Sequence, residues 1–423
     1  MTNKPIIADV KPAWWQIASN ILNSRRLSYA LITGAALWLA WLASIILGKG
    51  SFDLANQVVG TDYLQFYAAG ITLQRGEADK LYDFSYQSSL EREIAGPGLS
   101  NFHAFLTPPF LAWLFVPLSR LSYLWSFMVW AILSLGFLIA SLKLLGVDKP
   151  QRAFVWALTW FPIFASLSFG QNSLLSLLIL SLTYRLWKSQ KPFLAGITAS
   201  LILFKPQLII GVAILWLLRW RKDWQAILGV LTGGIILSGF TYFLLPDASL
   251  NYLRLAIKFL PNMIYTDQFP LYHLHALRGF LLLLFPDQNT LVELVALLVT
   301  IVAAELYIRF ILRQGESPSA SYGAAIAFTI LVTPHAMIYD WALLLVPAIL
   351  LWKTFPQHRA YWKVIFAIIW LLSLISGPLT YLQLQALPVA LQISVPGLIF
   401  VLISGYRTIV NHYSQTPPVQ PTG

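Results

Sequence analysis

The stretch LSYALITGAALWLAWLASIIL, residues 27–47, contains no charged residue. It is longer than the roughly 18 apolar residues that let a helix cross a bilayer. The basic residues Lys4, Lys11, Arg25 and Arg26 precede it, and no small-residue cleavage site follows. We therefore expect a retained first membrane span rather than a signal peptide.

The composition extends this pattern to the whole chain. Of 423 residues, 58% are hydrophobic and only 11% are charged, whereas soluble domains carry about 25% charged residues. Backbone groups in hydrocarbon must be paired within a helix or a closed barrel. Barrel strands would alternate in polarity, whereas this chain has long continuous apolar runs. The sequence predicts an all-α polytopic membrane protein of roughly 11–13 spans at about 20 residues each.

One region does not fit a simple alternation of spans. Apolar segments at 105–119, 122–143 and 153–168 give one crossing too many if each spans fully. Either the first, which contains TPPF, or the last, which precedes FGQN, is expected to be a half-helix or a re-entrant segment.

The distribution of charge predicts the orientation. The net charge is +11, but the basic residues lie in short groups between apolar segments, which is typical of cytoplasmic loops. They form no patch for nucleic acid, and we expect no nucleic-acid partner. The expected organisation is a cytoplasmic segment (1–26), one transmembrane domain (27–408) containing a first extracytoplasmic loop (48–104), and a disordered cytoplasmic tail (409–423). Both termini are expected inside a plasma membrane, surrounded by membrane lipids.

Several kinds of chemistry are absent from the sequence. There is no cysteine, which excludes disulfides, thiolate metal sites and cysteine nucleophiles. No P-loop, nucleotide-binding fingerprint or GxSxG motif is present. His273 and His275 lack a nearby third ligand and are a weak zinc signal. We therefore expect no metal and no cofactor, and an enzyme on the outer face would need a donor already activated in the lipid.

Asp62, in TDYLQFY (61–67), follows the first span among aromatic residues. One interpretation is a short helix on the bilayer surface, with Tyr63, Phe66 and Tyr67 at the interface and Asp62 as its cap. The alternative is an acid that takes part in chemistry.

Lys205, in LILFKPQLIIGV (201–212), has apolar residues on both sides. A charge there is costly and should face a cavity, a partner or the interface, and Pro206 predicts an interruption of the helix. Lys205 is therefore either a lysine that extends to the headgroups or an anchor for a phosphate.

Two further turns carry polar groups beside hydrocarbon, FGQNSLL (169–175) and VTPHAMIYDWALLLVP (332–347). A capped turn explains them as well as a shared site does. Arg278 is a candidate contact for a phosphate or a sugar. Glu305 is expected to pair with Arg309 one helical turn away, whereas Glu293 has no predicted partner. The polar residues of the two turns are Gln171, Asn172, His335, Tyr339 and Asp340.

These motifs occur in a fixed order: TDYLQFYAAG, LYD, FLTPPFLAWLFVPLS, FGQNSLL, LFKPQ and TPHAMIYDWALLL. Together they resemble glycosyltransferase family 87, the polyprenyl-phosphate-sugar-dependent transferases with the GT-C membrane fold, which include bacterial mannosyltransferases of glycolipid synthesis. The resemblance covers about 60–350. It departs from the family at Asp62–Tyr63, where an Asp-Phe pair is common, and the spans after 350 match no motif.

The resemblance implies roles for particular residues. Asp62 matches the catalytic base of the family. The Lys205–Pro206 and Pro334–His335 turns match its donor-phosphate region, where Arg278 is a further expected contact. The residues expected to line the substrate pocket are Tyr63, Tyr67, Gln171, Asn172, Gln207 and Asp340.

The implied activity is an inverting transfer of a sugar from a polyprenyl-phosphate donor to a glycolipid or glycan on the outer face. Mannose is the commonest sugar of the family, and arabinose and glucose are alternatives. A transporter or flippase of a lipid-linked substrate is the main rival. An O-antigen-type polymerase or ligase is the second rival, but its large outer loop comes late in the chain, whereas here the large loop comes early.

Overall fold

The computed structural model describes residues 14–266, 269–314 and 317–415. Residues 1–13 of the predicted N-terminal segment (1–26) and the part of the predicted tail after residue 415 therefore lie outside the described residues. The described chain is helical, with isolated bridges but no named strand. The α-helices are α1 Trp14–Ile21, α2 Ser24–Ile46, α3 Tyr63–Gln74, α4 Phe84–Ala95, α5 Pro109–Phe115, α6 Tyr123–Leu144, α7 Pro150–Leu158, α8 Phe161–Ser168, α9 Ser173–Lys188, α10 Pro192–Ser200, α11 Ile210–Leu218, α12 Trp220–Leu244, α13 Pro246–Lys258, α14 Leu277–Leu284, α15 Asn289–Gln314, α16 Pro318–Val332, α17 Leu345–Thr354, α18 Arg359–Ala386 and α19 Ser394–Gln415. Short 3₁₀ helices cover Ala78–Lys80, Leu118–Arg120, Leu201–Phe204, Pro206–Ile209, Leu260–Tyr265, Leu271–His273, Ile338–Leu344 and Pro356–His358.

Five helices in the described part of the chain are long and apolar enough to cross a membrane: α2, α6, α12, α15 and α18. The helices α8 and α9 are together long and apolar enough to cross a membrane, but their axes are bent by 119° at the break between them. This architecture confirms the predicted all-α polytopic membrane protein. The estimate of about 11–13 full spans exceeds the five or six helices that meet the length criterion because several apolar segments are broken into shorter helices.

The interruption predicted at Lys205 is present. Apolar helical segments cover Pro192–Phe204 and Pro206–Leu218, and Lys205 lies between them with φ −136° and ψ 71°. Both segments that the sequence left undecided are short: α5 has 7 residues and α8 has 8. The predicted disordered tail began at residue 409, but α19 continues to Gln415.

Helix α3 is buried in the core rather than lying on the bilayer surface. Tyr63, Phe66 and Tyr67 are all 6% exposed or less, so the interfacial-helix interpretation is wrong. A Cβ at Gly70 would lie 2.7 Å from the carbonyl oxygen of Phe115. Glycine therefore allows α3 to approach α5 closely, and the ring of Phe66 stacks on Phe115 at 5.0 Å.

The helix α6 defines two ends of the bundle. At its start, the Tyr123 hydroxyl donates to the Val59 carbonyl at 2.6 Å, close to α3. Just beyond its end, Gly146 accepts a hydrogen bond from the Lys353 ammonium. The 22 residues of α6 separate these points by about 33 Å. We call the end with Tyr123 the site end and the end with Gly146 the basic end.

Candidate active site

Asp62 occupies the N-cap position of α3, but its side chain does not cap the helix. Its backbone is helical, with φ −80° and ψ −14°, and its carboxylate accepts no hydrogen bond from the first turn. Oδ2 instead accepts from Nε2 of Gln171 at 2.8 Å. The capping interpretation is therefore wrong, and the carboxylate faces the FGQN turn with 23% of its side chain exposed.

The sharp bend between α8 and α9 brings Gln171 to this carboxylate. Gly170 has φ +70°, a conformation that glycine adopts without steric cost, and a Cβ there would lie 2.5 Å from Cβ of Tyr63. The Tyr63 amide donates to the Phe169 carbonyl at 2.9 Å, and Nε1 of Trp130 donates to the Gly170 carbonyl at 3.0 Å. The bend and the start of α3 thus form one unit.

His103 is the second neighbour of Asp62, and it is not among the site residues predicted from the sequence. Its Nδ1 lies 3.7 Å from Oδ1 of Asp62. Burial alone would lower the pKa of His103, but the Asp62 carboxylate outweighs burial and the pKa is raised. The signal in the sequence was a histidine, one of only six, just before FLTPPF in the loop that was predicted to be extracytoplasmic.

Helix α4 holds His103 in place. The backbone amide of His103 donates to Oε2 of Glu91 at 3.0 Å, and the amide of Phe105 donates to Oε1 of Gln87 at 2.8 Å. Glu91 is fully buried, and burial raises its pKa to about 7. The loop is thus attached to α4, because side chains of α4 accept hydrogen bonds from backbone amides of the loop.

Aromatic rings form a further side of the site. The Phe169 ring lies 5.8 Å from the His273 ring and 6.4 Å from the Tyr339 ring. Burial lowers the pKa of His273, and the negative charge of Asp62 opposes this effect. The Lys205 ammonium lies 5.1 Å from the centroid of Tyr339, so a cation and the Asp62 carboxylate lie near the same aromatic group.

Lys205 and Asp340 form a buried ion pair. The Lys205 ammonium lies 2.8 Å from Oδ1 of Asp340, and the same oxygen accepts from the Ser173 hydroxyl at 2.8 Å. Oδ2 of Asp340 accepts from the Met337 amide at 3.3 Å. A residue predicted as a phosphate anchor and one predicted in the pocket are thus brought together. Gln207 is half-buried in the following turn.

Arg278 and His335 belong to a second cluster. Nε of Arg278 donates to Glu293 at 2.5 Å, and Tyr265 also donates to this carboxylate. Glu293, for which the sequence offered no partner, is therefore paired. Burial, aided by the positive charge of Arg278, lowers the pKa of His335 to about 4, and Nε2 of His335 is buried without a hydrogen-bond partner in the structure.

A backbone bridge connects the two clusters. Leu274 pairs with Met337 in an antiparallel bridge, which joins the segment before Arg278 to the turn that carries His335 and Asp340. The three predicted phosphate contacts therefore lie in two connected clusters rather than one.

The other predicted residues are more deeply packed. The hydroxyl of Tyr63 shares a 2.5 Å hydrogen bond with Ser126, and Tyr67 donates to the Leu121 carbonyl at 2.7 Å. Both rings pack in the core, so we do not place them on a pocket wall. Asn172 is also fully buried, and both polar atoms of its side chain lack a hydrogen-bond partner in the structure.

The two histidines considered for zinc have different partners. His273 packs against Phe169, whereas Nδ1 of His275 lies 2.7 Å from the Ser394 hydroxyl. Within residues 14–266, 269–314 and 317–415, no three His, Asp or Glu side chains are grouped so that they could hold a metal ion. The predicted ion pair between Glu305 and Arg309 is confirmed at 2.5 Å.

The arrangement suits proton transfer beside a buried ion pair. Oδ2 of Asp62 is held by an amide, while Oδ1 has only His103 at 3.7 Å. A partly exposed carboxylate oxygen of this kind can accept the proton of a hydroxyl group, and Lys205 supplies positive charge nearby.

Comparison with known proteins gives one family. The sequence model of glycosyltransferase family 87 matches residues 105–334, more than half of the chain. The match begins at Phe105, after both Asp62 and His103, and it includes the FGQN bend, Lys205 and Arg278. No curated protein and no solved structure matches the chain.

Proposed function

Because the chain belongs to glycosyltransferase family 87, we propose that it transfers a sugar with Asp62 as the catalytic base. The observation that carries this proposal is the carboxylate of Asp62. It occupies a cap position without capping and is held instead by Gln171 from a bend 109 positions along the chain. A carboxylate that served only to cap the start of a helix would accept hydrogen bonds from the amides of the first turn.

The reaction is a single displacement. The acceptor hydroxyl bonds to Oδ1 of Asp62, which takes its proton as the oxygen attacks the anomeric carbon. The bond from the new oxygen to this carbon forms while the bond to the phosphate oxygen breaks. The sugar passes through an oxocarbenium-like state, and its configuration inverts. The leaving group departs as a polyprenyl phosphate with its electron pair.

Positive side chains stabilise the leaving phosphate. An ammonium has three N–H donors, and Lys205 directs one of them to Asp340, which leaves others for a phosphate oxygen. Arg278, in the connected cluster, adds a second positive charge, whereas His335, whose lowered pKa of about 4 leaves it neutral near pH 7, contacts the phosphate as a neutral hydrogen-bond donor. Donors fixed in a site of low dielectric stabilise charge that develops in the transition state.

The donor class is proposed from the setting of the site. The chain is largely apolar and spans a membrane, so a donor carried on a polyprenyl phosphate reaches the site within the lipid. We propose a GT-C-type fold, with the site end on the extracytoplasmic face and both termini in the cytoplasm. The proposed sugar is mannose, and the proposed acceptor is a glycolipid or glycan.

The test is sugar transfer by purified protein in detergent, with polyprenyl-phosphate-mannose and a glycolipid extract as the acceptor. We expect Asp62→Asn to lower transfer by about 10²–10⁴-fold, which is the usual contribution of a general base. Thermal unfolding should stay close to that of the wild type, because the amide keeps an acceptor for Gln171.

Asp83→Asn is the matched control. Asp83 lies in the same loop, but its carboxylate does cap a helix, since it accepts from the amides of Ser85 and Tyr86. Asparagine caps as well as aspartate, so this variant should transfer sugar normally. Transfer by Asp62→Asn at the wild-type rate would refute the assignment. Absence of transfer by the wild type with every polyprenyl-linked sugar tested would favour the transporter, because detergent removes the two compartments.

A further inference from the structure

A large cavity lies in the half of the bundle away from Asp62. Its volume is about 1660 Å³, which exceeds the roughly 300–1,000 Å³ of sites for small molecules. Apolar side chains from α2, α7, α15, α16, α18 and α19 line most of it. Trp160 and Ile369 are among its lining residues.

The mouth of the cavity is strongly cationic. One acidic residue, Asp148, accompanies the basic residues there. In the described part of the chain, none of these basic residues forms an ion pair with a carboxylate; Lys363, for example, donates to the backbone carbonyl of Ser19 at 3.1 Å. The six basic residues are Arg26, Lys149, Arg152, Lys353, Lys363 and Arg407.

This mouth is at the basic end of the bundle. Lys353 bonds to the Gly146 carbonyl just beyond α6, and Arg26 is in the first turn of α2, whose other end leads to Asp62. The cationic mouth and the candidate active site are therefore separated by about the 33 Å length of α6. The cavity does not belong to the active site.

The depth of the cavity matches one leaflet of a membrane. Along α19 the lining extends from Leu398 to Ile409, which is about 17 Å at 1.5 Å per residue. Half of the roughly 30 Å hydrocarbon core is about 15 Å. A lipid with its headgroup at the mouth would thus place its chains beside the apolar wall.

We propose that this cavity binds an anionic phospholipid from the leaflet opposite the candidate active site. The headgroup phosphate lies among the six basic residues of the mouth, and the acyl chains fill the apolar space above. Unpaired cations at the end of an apolar cavity favour an anionic headgroup over a zwitterionic one. The proposal does not depend on the sugar-transfer reaction, because it concerns the other end of the molecule.

The test measures lipid retained by the full-length protein in nanodiscs that contain equal amounts of phosphatidylglycerol and phosphatidylcholine. Native mass spectrometry after mild detergent transfer counts the phosphatidylglycerol and phosphatidylcholine bound per protein. We expect the wild type to retain more phosphatidylglycerol than phosphatidylcholine. The mouth variant Lys149→Gln/Arg152→Gln/Arg407→Gln should reduce this preference about tenfold or more, since each basic residue near a membrane surface contributes to binding of anionic lipid.

Two further variants separate site binding from a general effect of charge. Arg185→Gln/Lys191→Gln/Arg221→Gln removes the same number of charges at exposed positions that do not line the cavity, and it should retain phosphatidylglycerol like the wild type. Ala303→Trp fills part of the cavity without a change of charge, and it should reduce retention. Equal loss in both charge variants, or equal retention of the two lipids by the wild type, would overturn the proposal.

Discussion

The carboxylate of Asp62 distinguishes the structural from the functional interpretation of the loop after α2. The sequence placed Asp62 at a helix start, where capping is the usual role of an aspartate. That position was predictable, but the partners were not, because Gln171 and His103 are distant in sequence and reach Asp62 only through the fold. The resemblance to a family identified the residue, whereas the geometry identifies the side chains that hold it.

His103 is predicted to act as a positioning residue for Asp62. Its pKa is raised above the ordinary 6.5, so the pair with Asp62 persists to a higher pH than an isolated histidine would allow. The pair is complete below this range and is lost as the pH rises through the raised pKa. Transfer by the wild type should therefore fall on the alkaline side.

In His103→Gln this alkaline fall should be absent. We expect kcat to drop about tenfold while KM for the donor changes little, because the carboxylate loses a neighbour that orients it. The measurement is a set of pH profiles of kcat and KM for both proteins. Profiles of identical shape would contradict the role, whereas an unchanged melting temperature would exclude a simple folding defect.

At the scale of helices, the breaks matter more than the spans. The Lys205–Pro206 interruption was predictable, since a residue before proline leaves the helical region. The sequence did not predict which of two segments, the one with TPPF or the one before FGQN, fails to span the membrane. Both are short helices in the structure. The apolar composition of a segment does not determine the direction of its helix axis. It therefore cannot distinguish a straight span from the 119° bend between α8 and α9.

The bend between α8 and α9 is predicted to require glycine at position 170. Gly170→Ala adds a Cβ at φ +70° and 2.5 Å from Cβ of Tyr63, which should cost about 1–3 kcal/mol of stability. It should also displace Gln171 from Asp62, so transfer should fall more than the melting temperature indicates. Thermal unfolding and transfer assays measure the two effects.

Gly239→Ala provides the comparison. Gly239 lies within α12, and a Cβ there meets no atom within 4 Å. Alanine is favoured over glycine inside a helix by about 1 kcal/mol, so this variant should be as stable as the wild type or more stable. Equal behaviour of the two variants would show that the bend tolerates a side chain.

At the scale of the whole molecule, composition was enough to predict the class but not the packing. An all-α membrane protein followed from the apolar content and from the long continuous apolar runs. The contacts that build the site join α3, the FGQN bend and the 338–344 turn, and no local pattern encodes contacts over such separations. The orientation of the bundle stays a prediction, and it rests on the grouping of basic residues.

The absence of native cysteine makes the orientation directly measurable. Ala55→Cys introduces a thiol at an exposed position near the site end. Ser189→Cys introduces one just after α9, at the basic end. A membrane-impermeant maleimide should label the first variant in intact cells and the second only after permeabilisation. The reverse result would place Asp62 on the cytoplasmic side.

The buried Glu91 carboxyl also makes the stability of the fold depend on pH. Its pKa rises from 4.5 in the unfolded chain to about 7 in the folded one, so the folded loop takes up a proton over this interval. An acid whose pKa is raised on folding contributes stability at low pH and loses it as the pH increases. The change amounts to at most about 3 kcal/mol. The loop that supports Asp62 is therefore held most firmly in acidic surroundings and loosens as the medium approaches neutrality.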